Sequence, residues 1–385
     1  MKRAGPLTAD SIELQCPNPE CDYRFTGTRS TAKRRNLCPN CAQPLAEAKG
    51  FVRAGDLLPG FENFAPIVQA AQQSKALTVQ GRHHFNRLKQ LDALQRIGED
   101  QDPDMGFMTR LLTLCSLPRT DPGDRLQYVR RNGPYSLVMI AGGENKLPFG
   151  NLPRLLLAWV CTEAKRNHDR NPDDPENRKL YLGRSVGAFM QQLGINSDSG
   201  GKRGERNRLR MQIDRLFNAH LDLIYKAANE PKQETGGRIA PKTSLWWDYK
   251  NPDQQALWKS WVLIGEELFN EIVSHPVPLD MNILKQMRRS SLGLDLYMWL
   301  SYKTYSLYTQ KAKPDRLTWP RLYVQFGADP AKATDKHVVD DFRKDALREL
   351  KKLKVAWPAL DLAMPKGCLE IRPCPPSIPP KAIAE

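Results

Sequence analysis

Two stretches of this chain repeat one order of apolar and polar positions. Each opens on an apolar run with a tryptophan near its centre: Leu155-Leu156-Leu157-Ala158-Trp159-Val160 in the first, Leu296-Tyr297-Met298-Trp299-Leu300 in the second. Such runs predict helices buried nearly all round. Each is followed by a short segment that starts on a hydroxyl residue and ends in Gln-apolar-Gly, Ser185 to Gly194 and Thr318 to Gly327. In the first, Val186, Phe189, Met190 and Leu193 fall at i, i+3, i+4 and i+7, one stripe of a helix. Ser185 and Thr318 can accept orphan N–H groups of a first turn. Gly194 and Gly327 suit the left-handed residue that stops a helix.

A polar turn and a long basic amphipathic helix follow in both copies, about Gly204 to Leu221 and about His337 to Val355. Leu209, Ile213, Leu216 and His220 should pack inward in the first, and Val339, Phe342, Ala346, Leu350 and Leu353 in the second. Strand-like segments come next; in the second copy Leu360 to Met364, the turn Pro365-Lys366-Gly367 and Cys368 to Ile371 read as a hairpin. Helix, helix, turn, helix, hairpin is the order of a winged helix, and its recurrence marks an internal repeat. The expected fold class is α+β, with two tandem winged-helix (helix-turn-helix) domains over residues 107–275 and 276–373.

The rest of the chain divides by composition. Residues 11–45 hold four cysteines in a small knuckled module, 46–106 form a helical linker region with a helix-prone stretch from Gly81 to Ile97, and 374–385 form a Pro-rich tail expected to be extended and mobile. Cys16-Pro17-Asn18-Pro19-Glu20-Cys21 and Cys38-Pro39-Asn40-Cys41 have the spacing of a zinc ribbon. Four thiolates close a tetrahedral shell, so Cys16, Cys21, Cys38 and Cys41 are expected to hold one structural Zn2+. Disulfides or uncoordinated thiols are the plainer alternative. Between the knuckles Arg24, Arg29, Lys33, Arg34 and Arg35 face only Asp22, so the ribbon could touch DNA or a protein. Cys115, Cys161, Cys368 and Cys374 read as core or tail residues, and Trp246, Trp247, Trp258 and Trp261 as core and strand packing.

Charge changes the picture further. Lys and Arg number 58 against 43 Asp and Glu, a net charge of +15 over 385 residues. Such an excess points to a polyanionic partner, nucleic acid first. No apolar run is long enough to span a bilayer and no secretory signal opens the chain, so no membrane partner and a cytoplasmic location, with reduced thiols, are expected. Lys202, Arg203, Arg206, Asn207 and Arg210 in the first copy, and Lys344, Arg348 and Lys352 in the second, are the candidate DNA contacts. Arg and Asn can make paired hydrogen bonds to guanine and adenine edges. Asp340, Asp341, Asp345 and Glu349 dilute the second helix and make it the weaker case. The bland alternative, solvated helix faces, holds for either helix taken alone.

Enzyme chemistry finds no footing. His83-His84 lacks the His-apolar-His spacing of a rolling-circle nickase, and Gly200-Gly201-Lys202-Arg203-Gly204 lacks the spacing and hydroxyl of a phosphate-binding loop.

A linked set of these residues resembles the plasmid-encoded RepA replication initiators. It comprises Gly150 to Ala164, Leu182-Gly183-Arg184-Ser185, Phe189-Met190, Leu193-Gly194, Gly200 to Gly204, Arg215-Leu216-Phe217, Leu294 to Leu300, Phe326-Gly327 and Arg372-Pro373. The resemblance spans roughly residues 105 to 380; the cysteine module lies outside the family pattern. It implies an initiator that binds repeated sites (iterons) in double-stranded plasmid origin DNA and promotes origin opening. It also implies recruitment of the host replicative helicase and initiator proteins, repression of its own gene, copy-number control and a homodimeric state. The alternative is a winged-helix transcriptional regulator without a replication role.

Overall fold

The computed structural model describes residues 11–16, 21, 24–28, 38, 46–47, 79–100, 102–143, 146–195, 204–228, 231–249 and 253–378. They fall into two compact units, Met1–Glu99 and Asp100–Glu385.

In the first unit β1 (Ser11–Gln15) is the centre of an antiparallel sheet, with β2 (Arg24–Thr28) on one side and β3 (Ala46–Glu47) on the other. The helix-prone stretch forms α1 (Val79–Glu99), which buries Leu88 and Leu94. Arg96 and Asp92 clasp one turn apart at 2.9 Å.

The second unit opens on β4 (Met105–Thr109), which runs straight into α2 (Arg110–Leu114). Thr109 Oγ1 caps that helix by accepting from Leu112 N at 3.2 Å. β5 (Gln127–Asn132) and β6 (Tyr135–Ile140) form a hairpin that turns through Gly133 at φ 57°. The first apolar run lies in α3 (Asn151–Arg170), buried along most of its length. β7 (Lys179–Gly183), α4 (Val186–Gln192) and α5 (Glu205–Asn218) follow. β8 (His220–Tyr225) and β9 (Gln233–Arg238) join the earlier hairpin in the sheet β5-β6-β8-β9. β10 (Lys242–Ser244) and β11 (Ser260–Leu263) instead turn back onto β7 in the order β10-β11-β7.

After α6 (Glu266–Ser274) the order recurs. β12 (Pro276–Asp280) runs into α7 (Met281–Met287), capped by Asp280 Oδ1 accepting from Asn282 N at 2.8 Å. The second apolar run is α8 (Ser291–Thr309), followed by β13 (Asp315–Thr318), α9 (Trp319–Phe326), a 3-10 turn and α10 (Lys336–Ala356). β14 (Leu362–Ala363) and β15 (Cys368–Ile371) close the repeat in the order β13-β15-β14. In both copies the strand before the short helix pairs with the second strand of the closing hairpin. The first copy differs by two insertions, β5–β6 and β8–β9, which make a sheet of their own. The unit is therefore mixed α+β.

The two copies are joined through buried polar contacts. β12 pairs antiparallel with its counterpart β4, from Pro276↔Thr109 to Asp280↔Met105. Arg154 of α3 is 1% exposed and grips Asp295 of α8 with two hydrogen bonds, Nε to Oδ1 at 2.6 Å and Nη2 to Oδ2 at 2.7 Å. The same guanidinium donates to the carbonyls of Leu117 at 2.7 Å and Pro118 at 3.1 Å. The last carbonyls of α9, which no helical N–H can reach, are met from the first copy. Arg130 donates to Val324 O and Gly327 O at 2.8 Å, and Ser116 Oγ to Gln325 O at 2.9 Å.

Several local expectations change. His220 belongs to β8 rather than to the helix, and is exposed with Nε2 2.9 Å from Asp222 Oδ1. Ser185 caps α4 through Ala188 N at 3.2 Å, but Thr318 makes no such bond at α9. Gly194 is left-handed at φ 71°, whereas Gly327 has φ −67°. Gly327 is needed for close approach: a Cβ there would sit 2.5 Å from Tyr323 O. The tail is packed as far as Ile378. Cys374 and Ile378 are buried, and the Trp357 indole, sunk in the core, takes its acceptor from Pro375 O at 3.1 Å. The remaining tail residues lie outside the described residues.

Candidate nucleic-acid interface and thiol cluster

α5 puts Leu209, Gln212, Ile213, Leu216 and Phe217 into the core, and helical periodicity then turns Asn207, Arg208 and Arg210 outward. Arg210 lies over the ring of Tyr249 with its guanidinium carbon 5.0 Å from the centroid. The Tyr249 hydroxyl is buried with no partner among the described residues, and burial pushes its pKa up. Arg206 is half-buried and donates to Tyr249 O at 3.4 Å. One turn on, burial pushes the Asp214 carboxyl up, partly offset by Arg210. Arg208, which the sequence reading passed over, is exposed and its guanidinium meets no partner among the described residues. Its signal was available, since position 208 flanks the buried stripe at Leu209.

Not every polar side chain on α5 is open. Asn218, at the C-terminal end of α5, accepts from Arg238 Nη2 at 2.5 Å. Arg215 donates to Leu147 O at 3.2 Å and packs over Phe149, so it braces the fold. Gly204 is the N-cap of α5 and, having no side chain, caps it with none. Lys202 and Arg203, expected just before it, lie outside the described residues.

α10 carries its cations differently. Its inner stripe Val339, Phe342, Ala346, Leu350 and Leu353 is buried as expected. Lys344 meets Asp341 at 3.0 Å, Arg348 meets Asp345 at 2.7 Å, and Lys352 meets Glu349 at 3.0 Å. Glu349 is only 4% exposed, so Lys352 neutralises a buried carboxylate rather than reaching into solvent. All three candidate cations of the second copy are thus committed to acids on their own helix.

Beside these helices the tryptophans divide. Trp247 is buried against Phe189, ring centroids 5.1 Å apart, and donates its Nε1 to Gly183 O at 3.2 Å. Trp246 and Trp258 are exposed, so the expectation of packing fails for these two.

In the first unit the described cysteines converge. Cys16, buried, follows β1 directly; Cys21, half-buried, precedes β2; Cys38 is fully buried. Their sulfurs lie within 4.8 Å of one another, with Cys21 Sγ 3.5 Å from Cys38 Sγ. Sulfurs sharing one tetrahedral zinc at ~2.3 Å sit about 3.8 Å apart, so the three fit a common metal. Cys41 lies outside the described residues. In the second unit, burial pushes the Cys115 and Cys161 thiols up to about 12.

Among the described residues no helix is long and apolar enough to cross a membrane. No curated protein sequence matches the chain. Two solved structures align over much of it: one titled SeMet derivatives of domain 2 and domain 3 of RctB, at 14% identity, 69% of this chain, 96% of that chain and TM-score 0.40. The other, titled RctB domains 2-3, gives 15%, 68%, 96% and 0.38. Neither likeness is strong enough to fix the fold. The family model described as plasmid encoded RepA protein matches residues 147–321, a stretch that runs from α3 of the first repeat to the start of α9 in the second.

Proposed function

We propose that the protein is a plasmid replication initiator that binds repeated sites in double-stranded origin DNA and catalyses no reaction itself. The two repeats are read as winged helices: α4 and α5 form the helix-turn-helix of the first with β10–β11 as its wing, and α9, α10 and β14–β15 are their counterparts. The observation that carries the reading is the outer face of α5. There Asn207, Arg208 and Arg210 stand exposed on a helix that follows a short capped helix, in a chain of net charge +15. Arg210, resting over Tyr249, would present its planar fork to a base edge. Phosphate neutralisation supplies most of the affinity, so binding falls steeply with salt.

Bound at repeated sites, the protein would promote opening of the adjacent duplex and recruit host helicase and initiator proteins, with a homodimer as the repressing state and copy number as the regulated output. Gel-shift titration of the purified protein against its own plasmid's origin tests the core of this. No retardation at low ionic strength would end it. Deleting the gene separates replication from regulation: loss of plasmid replication supports an initiator, altered transcription alone a regulator.

Cys16, Cys21 and Cys38, with Cys41 as the fourth ligand, would hold one Zn2+. Bound there, the metal would tie the two knuckles into one small fold. Metal analysis should return one zinc per chain, and Cys38→Ser should lose it. Zinc retained in that variant would remove Cys38 from the ligand set.

A further inference from the structure

The hairpin β10–β11 and its neighbour β7 carry an apolar patch that the packing of the second unit does not use. Trp246 is 55% exposed, Leu257 89%, Trp258 65% and Tyr181 50%. Large apolar groups scattered singly on a surface need no explanation, but four on one small sheet and the connection between two of its strands do. The outward aim is built in. Trp246 N donates to Ser260 Oγ at 2.9 Å, and Ser260 is fully buried, so the backbone is pinned with Trp247 inside and Trp246 outside.

Tyr181, Trp246, Trp258 and Trp261 line a shallow cavity of about 500 Å³, with Lys179, Arg184 and Lys259 among them. Lys179 Nζ lies 5.6 Å from the Tyr181 centroid and 5.3 Å from that of Trp261; Lys259 Nζ lies 5.7 Å from Tyr181. No carboxylate lines the cavity among the described residues. Glu176, which meets Lys179 at 3.0 Å, is the nearby acid that bonds one of these cations.

Open aromatic faces interleaved with cations match a polyanion that also offers flat π-faces. Duplex DNA keeps those faces stacked inside; a single strand presents them. We infer that this hairpin is a site for single-stranded DNA. Unpaired bases stack on Trp246 and Trp258 while Arg184 and Lys259 meet the backbone. The choice of DNA rests on the initiator reading, in which a strand is exposed beside the duplex that α5 holds.

The test uses the full-length protein with a fluorescein-labelled thymidine oligonucleotide, read by anisotropy, and the origin duplex, read by gel shift. We expect Trp246→Ala with Trp258→Ala to weaken oligonucleotide binding by roughly tenfold or more, as loss of base stacking does. Duplex binding should fall by a much smaller factor, because α5 carries most of it, and Trp246→Phe, which keeps a ring, should retain most single-strand affinity. A parent protein that binds the duplex but not the oligonucleotide overturns the inference while leaving the initiator reading standing, and assigns the patch to a protein partner. Equal loss of both activities in the double variant also overturns it, since the patch would then belong to the duplex contact. Oligonucleotide binding that needs the two tryptophans, without duplex binding, supports the site and sinks the initiator reading.

Discussion

α5 and α10 occupy equivalent places in two copies of one order of elements, yet they present their charge in opposite ways. On α5 the outward guanidinium of Arg210 rests on a tyrosine ring and Arg208 meets no partner among the described residues. On α10 each candidate cation is tied to the carboxylate three residues before it, Lys344 to Asp341, Arg348 to Asp345 and Lys352 to Glu349. Such a pair has little net field to offer a phosphate, and breaking it costs part of what the phosphate would return. Duplication of an arrangement does not duplicate its chemistry. Under the proposed function, the first copy has the helix suited to reading DNA, and the second has one suited to holding the unit together.

The comparison can be broken most severely through the frame that presents both helices. Arg154→Met leaves Asp295 buried and unpaired, and should cost about 3–5 kcal/mol of stability in a denaturant titration. A loss below the range of ordinary surface changes would show that the copies are held by other means.

The next largest effect separates two equivalent caps. Thr109 caps α2 with a neutral hydroxyl, whereas Asp280 caps α7 with a carboxyl that burial raises from 3.8 to about 6. A carboxyl that binds its proton more tightly when folded makes the protein gain stability as pH falls from about 6 towards 3.8, by at most about 3 kcal/mol. Above about 6 the penalty is full and constant. Asp280→Asn should remove this gain, leaving a flatter stability profile across that window; an unchanged profile would refute the assignment.

On the helices themselves, Arg210→Ala should weaken specific duplex binding by about 1–3 kcal/mol. Because Arg210 also packs on Tyr249, a thermal melt must accompany the titration. Arg348→Ala should change duplex binding by no more than about 0.5 kcal/mol. Equal losses from the two substitutions would erase the asymmetry on which the comparison stands.

Much of this was legible before any coordinates. The apolar runs around Trp159 and Trp299, the stripe from Val186 to Leu193 and the inner face of α10 are periodic signals, and local periodicity survives folding because it is what the core requires. What the sequence hid depends on partners distant along the chain. β8–β9 and β10–β11 look alike as strands, yet one joins β6 and the other β7. Trp246 and Trp247 are the same residue type side by side, and only the pinning by Ser260 decides which is sunk. The acids of α10 were visible at helical spacing, but whether they face the lysines or solvent is a rotamer choice. For Lys202, Arg203 and Cys41 the structure adds nothing, because they lie outside the described residues.

The ladder between β4 and β12 has one more implication. Each strand's edge is completed by its own counterpart, as at the contact between identical subunits of a symmetric pair. A single half excised from this chain would carry that edge bare, with a backbone already shaped to fit itself. It should therefore associate with another copy of the same half, so truncated fragments would report on an intermolecular contact that the intact chain satisfies internally.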